Sequence, residues 1–249
     1  RAIDLAAALA RVDEVSDGLR ALGLEERLGV EHGELGLEEI DDTEQAHRAF
    51  EQSLAPRPIV SPGYRAVVAY ASVDQRLDLG GDFVDVVPLS DGRLGVVVGD
   101  VCGHGPRAAA VGVALRAAWK TAALTGVCDP VRWIDDLDRS FFRDGRIETY
   151  VTVLTAYFDL PNETAVFCSA GHPPPVRLGS VADVIATTPR TPLGIEPFAP
   201  ASAARIAWDG TPVLLYTDGL TDTFDDRRAR WGDNGLREGL HQRGAPDDD

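Results

Sequence analysis

The sequence predicts an α+β protein, an antiparallel β-sandwich flanked by helical layers and preceded by an N-terminal helical linker. Two observations carry that prediction. Short β-branched runs come first, then two helical patterns in succession, then further β-branched runs, so the segments do not alternate strand and helix as a doubly wound parallel sheet requires. The strand-like runs are also separated by tight-turn signals, as hairpins demand.

Residues 1–54 form the first region. Leu5, Leu9, Val12, Leu19 and Leu22 recur at three- and four-residue spacing, the pattern of an amphipathic helix with a coiled-coil-like seam. Such a seam packs on a core or on a second copy of the chain, and a homodimer through this helix is the expectation. Gly29 to Asp42 reads as a linker. Asp41 and Glu44 offer caps for a second helix carrying Ala46, Phe50 and Leu54, which the prolines of "APRPIVSPG" end.

Residues 55–249 form the second region, the main folded domain. "YRAVVAYASV", "DFVDVVPL" and "RLGVVVGDV" are strands, the last two joined through "SDG" as a hairpin. "PRAAAVGVALRAAWKTAAL" opens on Pro106, which suits a first helical turn, and runs to Leu124. A shorter helix spans Pro130 to Phe142. Strands resume in "TYVTVLTAYFDL", turn at "PNET", and continue in "AVFCSA", near Ala204 to Trp208, and in "PVLLYTDG".

Composition narrows the function. A net charge of −16 supplies no basic stripe for nucleic acid or anionic lipid. No apolar run approaches the roughly 18 residues that cross a bilayer, and no signal peptide is visible. Cys102, Cys128 and Cys168 have no metal-ligand spacing and an odd count, which suits a reducing cytoplasm. The chain opens on Arg1 and contains no Met, as a fragment or processed form would.

The stretch "GDVCGHGPRAAA" poses the main chemical question. Gly103, Gly105 and Ala108 satisfy the G-x-G-x-x-A spacing of a dinucleotide loop. That motif needs a second parallel strand after the helix, and "TGVCDPVRW" offers none, while Asp100 would sit against the pyrophosphate. Three glycine-flanked acids give the better reading. Asp82 precedes a strand in "LGGDF", Asp100 ends one in "VVVGD", and Asp218 ends another in "LLYTDG". Rigid strands can aim such acids at one point. Gathered carboxylates repel unless a cation lies between them, and hard oxygen donors favour Mg²⁺ or Mn²⁺. Taken singly, each Asp reads first as a structural turn or cap residue, and it is the three together that point to a cation.

"GGDFVDVVPL", "GDVCGHGPRAAAVGVALR", "SAGHPPPV", "TPLGI" and "LLYTDGLTD", in this order, resemble the SpoIIE/RsbU-type branch of the bacterial metal-dependent protein serine/threonine phosphatases (the PPM, or type 2C, group). "RAFEQSLAPRPIV" resembles the lead-in helix that joins a sensor domain to such phosphatases. The resemblance implies a β-sandwich between helical layers and a two-metal site of Mn²⁺ or Mg²⁺. Asp82, Asp100 and the Val101 carbonyl would ligate metal, Asp218 would ligate the second ion, and the bound water they activate would be the nucleophile. It also implies a phosphoserine or phosphothreonine substrate on an anti-sigma-factor antagonist, and an upstream sensor or receiver domain whose signal the N-terminal helix relays.

Other residues keep two readings. Asp85 orients a metal-bound water or is a solvated strand acid. His104 donates a proton to the leaving oxygen or is a plain loop histidine. His172, before three prolines, shapes a rigid turn near the site. Arg76 and Arg107 are only candidates for phosphate contact, on charge grounds alone, and Asp222, Asp225 and Asp226 read as a solvated acidic loop. Relatives usually finish with paired aspartates before an apolar strand, whereas this sequence stops at "APDDD". That departure leaves an alternative, a phosphatase-like regulatory binding module with little turnover.

Overall fold

The computed structural model describes residues 59–61, 64–68, 80–89, 91–143, 149–197, 199–222, 232, 235–236 and 240. The predicted N-terminal helices and Arg76 lie outside these, as do Asp225 and Asp226.

The central sheet has five strands in the order β3-β4-β5-β6-β9: β3 (Phe83–Pro88), β4 (Leu94–Val101), β5 (Val151–Asp159), β6 (Thr164–Ala170) and β9 (Ala203–Ala207). Every neighbouring pair is antiparallel. β4 and β5 read as near-continuous apolar runs because both faces of this sheet are covered. Side chains alternate between two cores. Val97, Val101, Val151 and Val153 face one way, and Val96, Val98, Leu154 and Ala156 the other.

Helices α1 (Pro106–Thr125) and α2 (Pro130–Arg143) cover the first face. Trp119 of α1 and Trp133 of α2 are fully buried and meet edge to face, with centroids 5.8 Å apart. Such a pair adds about 0.5–1.5 kcal/mol beyond burial. Smaller sheets accompany the second face: β1 (Ile59–Ser61) with β2 (Tyr64–Ala66), and β10 (Val213–Leu214) with β7 (Val176–Leu178) and β8 (Ala182–Val184). Tyr64, Phe158, Phe167 and Trp208 fill the core on that face. Tyr64 Oη donates to the Phe158 carbonyl and accepts from Leu160 N, at 3.0 and 2.8 Å, which ties β2 to the end of β5.

Most of the expected elements fall within a residue or two of their predicted ends, but the strand expected over "YRAVVAYASV" is only β2, which stops at Ala66 with residues 67–68 outside it. The α1 helix runs to Thr125, stopped at Gly126, whose N–H bonds Ala122 O at 2.9 Å. "PVLLYTDG" is shorter as a strand than expected. Only Val213 and Leu214 pair, and Asp218 opens a 3-10 turn, Asp218–Leu220, rather than ending a strand. β1, β7 and β8 were not foreseen, because three-residue strands carry too little alternation to be read.

Candidate metal centre

The three acids singled out by sequence come from three separate elements. Asp82 precedes β3, Asp100 is the penultimate residue of β4, and Asp218 opens the 3-10 turn. The fold brings them within electrostatic reach of one another. Burial, then the charge of Asp100, push the Asp82 carboxyl up to about 7, with Asp218 adding to the rise and the Thr217 hydroxyl opposing it. Burial, then Asp218, likewise raise Asp100. Such upward shifts mark carboxylates held together against their mutual repulsion.

Local sequence explains the placement. A Cβ on Gly81 would come within 2.3 Å of the Val101 carbonyl oxygen, so only glycine lets the chain before β3 lie against the end of β4. Gly81 O also accepts from Val101 N at 3.3 Å. Gly99 has a comparable duty. A Cβ there would stand 2.3 Å from the Phe83 ring, so this glycine makes room for Phe83 beside Asp100. The loop after Asp100 is held by Cys102 N donating to Tyr150 O and Thr149 Oγ1 donating to Cys102 O, each at 2.9 Å. Across the sheet, Thr152 of β5 is the register partner of Asp100.

Thr217 was not singled out in the sequence. Its Oγ1 donates to Asp82 Oδ2 at 3.0 Å and fixes that carboxylate from the Asp218 side of the site. Its place immediately before a candidate ligand was the available signal. Among the described residues, no group of three acidic, histidine or cysteine side chains is gathered tightly enough to hold a metal ion as it stands, and Asp218 is the exposed member.

Asp85 takes neither of its expected roles. It is 3% exposed, accepts from Val86 N at 2.9 Å, and pairs with Arg116 Nε at 3.2 Å and Lys120 Nζ at 3.4 Å on α1. The pleat turns it from solvent toward the helix, where residues four apart share a face. His104 and Arg107 are exposed, as is Asp222. His172 is buried in the turn expected of it, with Ser169 Oγ donating to His172 O at 3.0 Å. The dinucleotide reading fails on topology, since the strand after the two helices, β5, runs antiparallel to β4. All three cysteines are free. No helix among the described residues is long and apolar enough to cross a membrane.

Comparison with known proteins agrees with this architecture. The family model described as Stage II sporulation protein E (SpoIIE) matches residues 90–249. The chain belongs to the SpoIIE family. Phosphoserine phosphatase RsbP of Bacillus subtilis (strain 168) is 28% identical over 154 residues, 58% of this chain and 37% of RsbP. Among solved structures, the RsbU and RsbW domains of Rv1364c from Mycobacterium tuberculosis share 32% identity with a TM-score of 0.52, over 63% of this chain and 43% of that one. The SiaA-PP2C domain of Pseudomonas aeruginosa shares the fold, with a TM-score of 0.56 at 18% identity over 67% of this chain and 70% of that one. The chain thus spans well under half the length of RsbP and of the Rv1364c structure.

Proposed function

We propose that this SpoIIE-family chain is a metal-dependent protein serine/threonine phosphatase acting on a phosphorylated regulatory protein of the anti-sigma-factor-antagonist type. The observation that carries the reading is the convergence of Asp82, Asp100 and Asp218 from three elements, with the carboxyls of Asp82 and Asp100 raised by burial and mutual charge. RsbP, named a phosphoserine phosphatase, supports the reaction class. The pairing of RsbU and RsbW domains in the Mycobacterium tuberculosis relative supports a partner-switching context.

The donor set fits a hard divalent cation. It consists of carboxylate oxygens and a backbone carbonyl, with no organised histidine or thiolate. Asp82, Asp100, the Val101 carbonyl and Asp218 would hold Mn²⁺ or Mg²⁺. Bound cations supply Lewis-acid chemistry, activating water and neutralising phosphoryl oxygens. The chain's own residues do the positioning. Thr217 orients the Asp82 carboxylate, the close packing at Gly81 holds the residue before Asp82 against the Val101 carbonyl, and β4 and β5 keep Asp100 in place. A cluster of bare carboxylates would repel a phosphate dianion, so binding of the substrate depends on the same charge balance.

The test is hydrolysis of p-nitrophenyl phosphate and of a phosphoserine protein with and without Mn²⁺, alongside Asp100→Asn and Asp218→Asn. Activity should require the cation and fall at least about tenfold in both variants. Equal activity in the variants would overturn the residue assignment, and unchanged activity in chelator would overturn the metal reading.

A further inference from the structure

Tyr150 is a large side chain at the β4–β5 end of the site that the proposed chemistry leaves unused, and it is 44% exposed. Its backbone is held from two sides. Cys102 N donates to Tyr150 O at 2.9 Å, which carries the β4–β5 register one step past the Val101–Val151 pair. Next to it, Val151 and Leu193 exchange two backbone hydrogen bonds of 2.9 Å each. A Cβ on Gly194, where φ is +95°, would stand 3.2 Å from Tyr150 Cα, so the "TPLGI" loop packs closely on this backbone. The main chain is fixed while the ring stays in solvent.

The register also sets which way the ring leaves the sheet. Asp100 pairs with Thr152, and positions two apart along a strand share a face. Tyr150 therefore projects on the Asp100 face, about 7 Å along the strand from Thr152. The electrostatics agree with that placement. Cys102, opposite Tyr150, is the first cause of a raised phenol pKa, and the charges of Asp100 and Asp218 add to the rise. The hydroxyl thus keeps its proton at neutral pH and can donate a hydrogen bond. A phosphate dianion arriving here meets carboxylates that repel it, so a neutral donor on a fixed backbone is a favourable partner.

We propose that Tyr150 is a substrate-binding residue: its hydroxyl donates a hydrogen bond to a phosphoryl oxygen of the phosphorylated side chain brought to the aspartate cluster. This rests on the reading of the three aspartates as cation ligands. A tyrosine that merely caps the end of the sheet would contribute to stability and leave anion binding alone.

The experiment uses the full 249-residue chain and phenylphosphonate, a non-hydrolysable analogue of a phosphate monoester. Calorimetry measures Mn²⁺ binding, then phenylphosphonate binding to the Mn²⁺-saturated chain, for wild type and Tyr150→Phe. The variant keeps the ring and removes only the donor, at an exposed position where folding does not depend on it. Phenylphosphonate should bind about tenfold more weakly to Tyr150→Phe, as loss of a hydrogen bond to a charged group does. Mn²⁺ affinity and melting temperature should match wild type. Phenylphosphonate affinity within about twofold of wild type overturns the proposal. So does a parallel loss of Mn²⁺ affinity, which would make Tyr150 a support of the ligands instead. A wild-type chain that binds Mn²⁺ but no phenylphosphonate refutes the contact and leaves the ligand reading standing. One that binds no Mn²⁺ overturns the ligand reading and the contact with it.

Discussion

Thr217 Oγ1 donates a 3.0 Å hydrogen bond to Asp82 Oδ2 across 135 positions of sequence, joining the 3-10 turn to the start of β3. A hydrogen bond to an ionised group contributes about 1.5–3 kcal/mol. Thr217→Val keeps shape and removes the donor. Mn²⁺ affinity should fall about tenfold by calorimetry, with the fold intact by circular dichroism. Unchanged affinity would show that Asp82 needs no orientation from this side.

Asp82 also predicts a pH dependence. Its folded value of about 7 lies above the ordinary carboxylate range, so the folded state holds the proton more tightly than the unfolded chain. Its ionisation costs nothing below the unfolded value, grows as pH rises, and is complete above about 7. The upper bound is about 4 kcal/mol, shared with Asp100 and Asp218. In chelator, Asp82→Asn should be the more stable protein at pH 8, with the difference fading towards pH 4. His172, lowered to about 4 mainly by burial, stabilises above its ordinary 6.5 and loses that contribution as pH falls to about 4. It is common to both proteins and cancels in the difference. Urea titrations at four pH values measure this, and a pH-independent gap would contradict it.

The Asp85 pairs lead to a different separation of effects. Arg116 is 19% and Lys120 48% exposed, so solvent screens them in part. Asp85→Asn should cost about 1–3 kcal/mol of stability. Metal-dependent turnover at saturating Mn²⁺ should remain within about twofold, because the side chain faces α1. A large fall in kcat with unchanged stability would return Asp85 to the site.

Gly99 is required by its neighbour's bulk. Gly99→Ala would set a methyl 2.3 Å from the Phe83 ring. The cost should be about 1–3 kcal/mol in denaturant titration, as for other overpacked cores. Adding Phe83→Leu should recover part of it. No recovery would mean that the strain arises elsewhere.

What could be read before folding was whatever is local. The β-branched runs of β3 to β6, Pro106 at the start of α1, and the "PNET" turn follow from periodicity and backbone preference, and their predicted limits lie close to the observed ones. Asp82, Asp100 and Asp218 stood out through glycine neighbours and ordered motifs. Asp85 misled because its nearest sequence neighbours say nothing of α1, and its partners Arg116 and Lys120 lie more than thirty positions on. The buried pair of Arg190 with Asp138, 2.9 Å apart, was unreadable for the same reason.

The sequence by itself determined the element types and the acidic, oxygen-rich chemistry, because helix caps, turns and apolar periodicity act over a few residues. Only the tertiary structure decided which acids meet. Sheet register sets Thr152 opposite Asp100, close packing at Gly81 puts Asp82 against the end of β4, and Thr217 reaches Asp82 from a chain segment far away. Those contacts depend on long-range packing, in which a carboxylate's partner is chosen by the fold and not by its neighbours in the chain.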